Sequence, residues 1–163
     1  MTLATKRPDT PEAAGAAPAP LVAVEDLRVR FVSRDRVVHA VNGVSFTLGK
    51  GEVLSIIGES GSGKSVTLRA LMRLLPARAQ VSGKVSIAGR DVLRASARQL
   101  GDLRGPVVAM IFQEPAVAFD PVYRIGEQIV ETIVRHERCG RDAARRRARE
   151  LLEMVQIPSA ARR

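Results

Sequence analysis

Apolar and polar positions alternate twice near the start of the chain, first in Leu21–Phe31 (LVAVEDLRVRF) and again in Val37–Leu48 (VVHAVNGVSFTL). A period of two predicts two antiparallel strands with one wet face, joined by the polar SRDR turn. After the turn LGKGE comes a short, uniformly apolar run, VLSIIG, which predicts a strand buried on both faces. The next apolar positions, 68, 71, 72 and 75, have helical spacing, and Pro76 is expected to end that helix. Residues 81–89 predict another half-buried strand and ARQLGDLR a short helix stopped by Gly105-Pro106. VVAMIF (107–112) then predicts a second buried strand, followed by the loop QEPAVAFDP. Two amphipathic helices close the chain. One covers Gly126–Arg138 with Ile129, Val130, Ile133 and Val134 on one face; the other covers Arg141–Gln156 with Ala144, Ala148, Leu151, Leu152 and Val155 facing inward. The first twenty residues, rich in Ala and Pro and without periodicity, predict a flexible tail.

Composition narrows the class. At 163 residues and 45% hydrophobic, the chain has the size of one domain, or of a large piece of one, and wholesale disorder is excluded. Aromatics are only 3% and Trp is absent, which argues against single-strand nucleic-acid binding on stacked rings. Cys139 is the sole cysteine, so a disulfide framework or cysteine-based zinc site is excluded and a reducing compartment expected. The longest apolar run is far below the ~20 residues of a membrane-spanning helix. No signal peptide is apparent, so a cytoplasmic protein is expected.

The net charge of +9 is unevenly spread: residues 135–163 hold nine arginines against four acidic residues. Arg141, Arg145, Arg146 and Arg149 lie off the apolar stripe of the last helix, as on a solvated face, so the basic balance does not by itself indicate nucleic acid.

The candidate chemistry lies directly after the VLSIIG strand. Residues 58–65, GESGSGKS, match G-x-x-x-x-G-K-[ST]. Glycines at 58, 61 and 63 allow successive N–H groups to point into one concavity at the start of a helix, where the dipole also favours an anion. Gly58, Glu59, Ser60, Gly61, Ser62, Gly63, Lys64 and Ser65 are therefore the candidate phosphate-binding residues. Lys64 is expected to reach the β- and γ-phosphates of ATP and the Ser65 hydroxyl to bind Mg²⁺.

A P-loop alone does not choose among kinase, GTPase and transporter ATPase. The wider stretches GESGSGKSVTLRALMRLLP and MIFQEPAVAFDPVYRIGEQIVETI resemble the ATP-binding subunits of ABC transporters, with the oligopeptide/dipeptide (or nickel) importer group most similar. The resemblance runs from about Leu21 to Arg163. It implies an α/β P-loop NTPase fold with an N-terminal antiparallel β subdomain, the start of a helical subdomain and an incomplete core sheet. Residues 1–20 would be the tail and 21–163 a truncated nucleotide-binding domain. By resemblance Gln113 opens the Q-loop and contacts Mg²⁺ and the attacking water, and Phe31 stacks on adenine. Membrane permease subunits and a second ATPase subunit are implied as partners, with an extracytoplasmic solute-binding protein. No solute contact or nucleic acid is implied, and the location would be peripheral on the inner face of the cell membrane. The family's signature, Walker B aspartate, catalytic glutamate and switch histidine are not found in these residues. The chain alone is therefore expected to be marginally stable, to bind nucleotide weakly and not to turn over. Two other classes stand beside this reading: a small P-loop kinase, which leaves the Gln113 loop unexplained, and a basic nucleic-acid-binding module.

Overall fold

The computed structural model describes residues 2–6, 19–114 and 118–157 and divides the chain into two compact units, residues 1–107 and 108–163. In the first unit, β2 (Val22–Val32) is the centre of a four-stranded antiparallel sheet. Its neighbours are β3 (Val37–Leu48) on one side and β5 (Ala79–Ile87) on the other, with the short β6 (Arg90–Asp91) beyond β5. Ser33 and Arg36 close the β2–β3 turn through both a backbone and a hydroxyl hydrogen bond. The alternation seen in the sequence is what the sheet uses: Val24, Leu27 and Val29 are buried while Glu25, Arg28 and Arg30 face water.

Three bulges interrupt the β2–β3 ladder. In the first, Glu25 and Asp26 together oppose Ser45, whose hydroxyl accepts the Asp26 N–H at 2.9 Å. In the second, Leu27 pairs with Val44 but Arg28 with Asn42, so Gly43 is the extra residue; in the third, Val29 pairs with Val41 but Arg30 with His39, so Ala40 is the extra residue. That bulge matters for the site below.

β4 (Val53–Ile57) leads into α1 (Lys64–Leu71), which packs against β2 and β3 with Thr67 and Ala70 buried. The helix is shorter than its apolar spacing predicted. Arg73 takes a positive φ of 53° and closes a Schellman turn, with its N–H donating to the Ala70 carbonyl and the Leu74 N–H to that of Arg69. The chain thus leaves the helix before Pro76 can act, and Leu68 stays exposed. α2 (Ala97–Leu103) begins with a reciprocal capping box between Ser96 and Gln99 and buries Leu100 and Leu103.

Three expectations are corrected here. β4 forms, but it is not buried on both faces: Val53 is 68% and Ile57 59% exposed, because among the described residues only β1 (Thr2–Lys6) pairs with it, along one edge. β1 itself corrects the expectation of a flexible tail over residues 1–20. Five register pairs, from Thr2 with Ile57 to Lys6 with Val53, give its backbone a ladder partner. Residues 7–18 of that expected tail lie outside the described residues. Finally, VVAMIF is not a buried strand: residues 109–112 take no regular structure and Ile111 is 95% exposed. An apolar run becomes a strand only where a neighbour supplies hydrogen bonds, and no described residue does so for 109–112.

The second unit is a helical hairpin. α3 (Ile125–Glu137) and α4 (Arg141–Met154) bury Val130, Ile133, Ala144 and Ala148, with Ile129, Val134, Leu151 and Cys139 packed around them. Alanines on α4 allow close approach of the two helices. Val155, expected to face inward, is the C-cap and is 64% exposed. There the chain turns away through Gln156 at φ 58°.

Candidate functional site: the 58–65 loop

The loop between β4 and α1 is built around the side chain that gives it chemistry. The Lys64 ammonium donates to the carbonyls of Gly58 and Glu59, both at 2.6 Å, and approaches the Ser62 hydroxyl at 3.4 Å. Folding back over its own loop in this way, Lys64 holds residues 58–63 in a closed ring. The Ser62 N–H also bonds the Glu59 carbonyl at 3.2 Å. With both nearby carbonyls engaged by the ammonium, the N–H groups other than that of Ser62 are left for a ligand, which suits an anion and disfavours a cation at the loop's centre.

Gly63 shows why the spacing is needed. It is buried, sits at φ 91° as the N-cap of α1, and lies against the bulge of β3. A Cβ built there would stand 2.2 Å from the Ala40 carbonyl oxygen. The bulge therefore pushes one backbone carbonyl into the loop, and only a residue without a side chain fits. Gly61 also has a positive φ, 81°, but faces open space, so its requirement is conformational alone.

α1 starts with no side-chain cap and no acidic residue in its first turn. The first N–H to find a helical partner is that of Thr67, bonded to Gly63 O at 2.8 Å. The Thr67 hydroxyl, buried, donates to the same oxygen at 3.0 Å. The N–H groups of Lys64, Ser65 and Val66 precede that bond and have no intrahelical acceptor. A concavity lined by unsatisfied donors, backed by an ammonium and placed at the positive end of a helix dipole fits phosphate. The exposed Ser65 hydroxyl in the first turn fits a hard cation bound beside it.

The other sequence-predicted residues are placed as follows. Phe31 is half-buried near the end of β2, paired with Val38 on β3 and Ala79 on β5. Val38 is two residues from Ala40, whose carbonyl meets Gly63, so Phe31 lies roughly 8 Å from the Ala40 position, one strand across and two residues along. Gln113 is exposed and belongs to the second unit; residues 115–117, two positions on, lie outside the described residues. His39 is exposed opposite Arg30, and Glu59 and Ser60 are exposed on the loop.

Sequence reasoning missed the Ala40 bulge, which lies against the loop, and Arg104, whose guanidinium reaches the far end of α1. The bulge has a faint signal in the sequence. The alternation of β3 changes phase between His39 and Val41, where Ala40 is the odd residue.

Comparison with known proteins agrees with this geometry. Residues 41–163 match the family described as ABC transporter. The chain is 42% identical over 140 residues to the oligopeptide transport ATP-binding protein OppD of Bacillus subtilis, covering 85% of this chain and 39% of that protein. It is 45% identical over 143 residues to the probable D,D-dipeptide transport ATP-binding protein DdpD of Escherichia coli, covering 86% and 44%. To the OppD protein of Salmonella typhimurium it is 41% identical over 155 residues, covering 93% and 46%. The chain thus spans less than half the length of these relatives. With the closed lysine ring, the Gly63–Ala40 contact and a match over residues 41–163, the chain belongs to the ABC transporter family as an α/β P-loop protein.

Proposed function

We propose that this polypeptide carries the ATP-binding loop of a subunit that powers a peptide-type ABC importer. The observation that carries the reading is the ring closed by Lys64 on Gly58 and Glu59, which takes up the loop's carbonyls with its ammonium. The phosphates of ATP would be held by the N–H groups of Gly61 and of residues 63–66 and by Lys64, and Mg²⁺ by Ser65. When bound, Mg²⁺ neutralises charge on the β- and γ-oxygens. Phe31 would contact the base, and Gln113 the metal and the attacking water through an amide that both donates and accepts.

The partners would be two membrane permease subunits, a second ATPase subunit and an extracytoplasmic solute-binding protein, as the family resemblance implies for a transport ATP-binding protein like these relatives. The chain would sit peripherally on the inner face, as the family resemblance implies; no helix among the described residues is long and apolar enough to cross a membrane. A cavity of about 690 Å³ on the helical unit supports docking there. It is lined by Tyr123, Glu127, Gln128, Glu131, Val134 and Arg141, and mixes an exposed ring with charge.

The test is titration of the 163-residue chain with the fluorescent analogue mant-ATP in Mg²⁺. Saturable binding that ATP competes away, and that Lys64→Ala weakens at least about tenfold, is expected from the loss of a charge-assisted phosphate contact. Equal affinity of the two proteins would overturn the reading.

A further inference from the structure

The far end of the P-loop helix is held by a residue that no motif singles out. Arg104, the C-cap of α2, is half-buried. Its Nε and Nη2 donate to the Met72 carbonyl at 3.0 and 2.7 Å, and its Nη2 also to the Arg73 carbonyl at 2.9 Å. The Schellman turn satisfies the carbonyls of Arg69 and Ala70, and Arg104 takes those of Met72 and Arg73. Arg73 reciprocates, its guanidinium donating to the Ala95 carbonyl one residue before the Ser96 cap of α2. Each helix therefore sends an arginine from its C-terminal end onto the backbone of the other.

The consequence reaches the phosphate site through the shortness of α1. Eight residues make a rod of about 12 Å, so a tilt of about 10° at one end moves the other by about 2 Å. That exceeds the tolerance of an N–H···O bond. A helix so short has little stability of its own, and its N-terminus carries no side-chain cap. A cation at its C-terminus also opposes the negative end of the dipole.

We propose that Arg104 is a positioning residue for nucleotide binding: it fixes the axis of α1 and so aims the N–H groups of the first turn at the phosphates. This rests on the phosphate reading of the 58–65 loop. Arg104 touches no ligand itself, and the guanidinium fork is required because it serves two carbonyls at once, which an ammonium on a single axis does less well.

The experiment compares wild type, Arg104→Ala, Arg104→Lys and Lys64→Ala in the 163-residue chain. It measures mant-ATP affinity in Mg²⁺ and amide hydrogen exchange without nucleotide. Arg104→Ala is expected to weaken mant-ATP binding about tenfold, the scale of losing charge-assisted bonds, and to speed exchange at residues 67–74. Amides of β2, β3 and β5 should keep their protection, and Arg104→Lys should restore part of the affinity. A purely structural role would instead lower protection throughout and leave the affinity of the folded fraction unchanged. That result overturns the proposal, as does wild-type affinity in Arg104→Ala. If Arg104→Ala does not fold, the lysine variant decides: full wild-type affinity there refutes the need for the fork. Failure of the underlying reading looks different, because wild type and Lys64→Ala would then be alike.

Discussion

Replacing Gly63 by alanine separates two reasons for a glycine that usually act together. The added Cβ would lie 2.2 Å from the Ala40 oxygen, 3.4 Å from its carbonyl carbon and 3.5 Å from Val41 Cγ2. An ordinary C···O contact is about 3.3–3.6 Å, so the loop or the β3 bulge must move by about 1 Å. Forcing backbone to yield costs about 1–3 kcal/mol by analogy with overpacked cores. Holding a non-glycine residue at positive φ costs about 1–2 kcal/mol more. Gly61→Ala is the matched control, since Gly61 has φ 81° and nothing within 4 Å of its built Cβ. It should carry only the conformational cost. The expected gap between the two variants is thus about 1–3 kcal/mol, read as a difference of about 1 M in urea midpoint for a slope of 1–3 kcal/mol/M. Urea unfolding without nucleotide, followed by circular dichroism, makes the measurement. Equal midpoints for Gly61→Ala and Gly63→Ala would refute the claim that the bulge shapes the loop.

Three further outcomes follow from the structure. Arg28 donates to Asp26 at 2.8 Å and holds its carboxyl below the ordinary aspartate value. A depressed folded-state value gives stability that is present above the unfolded pKa of about 3.9 and lost as pH falls through the folded one. Between about pH 4 and 2, where aspartate titrates, wild type should lose more stability than Asp26→Asn; the loss should be small because the pair is exposed, and parallel pH profiles would contradict it. Ala144→Leu, at a position with 0% exposure in the α3–α4 contact, should cost about 1–3 kcal/mol in thermal unfolding; an unchanged melting temperature would show that the helices are not tightly packed. The 163-residue polypeptide assayed alone is expected to bind Mg·ATP without sustained phosphate release, because the family resemblance places the catalytic carboxylate outside these residues. Steady release abolished by Lys64→Ala would contradict that.

What the sequence disclosed was whatever depends on neighbours along the chain. The β2–β3 hairpin follows from alternation, because one buried face needs an apolar residue at every second position. The loop follows from its glycine and lysine spacing, and the α3–α4 contact from the 3.6-residue stripe. What stayed hidden depends on distant partners. Arg104 meets α1 across 31 and 32 residues, and nothing local marks it among the chain's arginines. VVAMIF has the apolarity of a strand, but apolarity states a need for burial and does not supply the hydrogen-bonding neighbour. TLATK, with five residues, was too short for its alternation to stand out from the Ala/Pro-rich stretch that follows, and its partner β4 begins 46 residues after it ends.

The central claim is that residues 58–65 bind phosphate through backbone N–H groups. Site-resolved amide hydrogen exchange of the 163-residue chain, with Mg·ATP and separately with adenosine, tests it most directly. Mg·ATP should slow exchange at Gly61 and at Gly63 to Val66 while adenosine leaves those amides unchanged. Protection by both ligands alike, or by neither, would contradict the account.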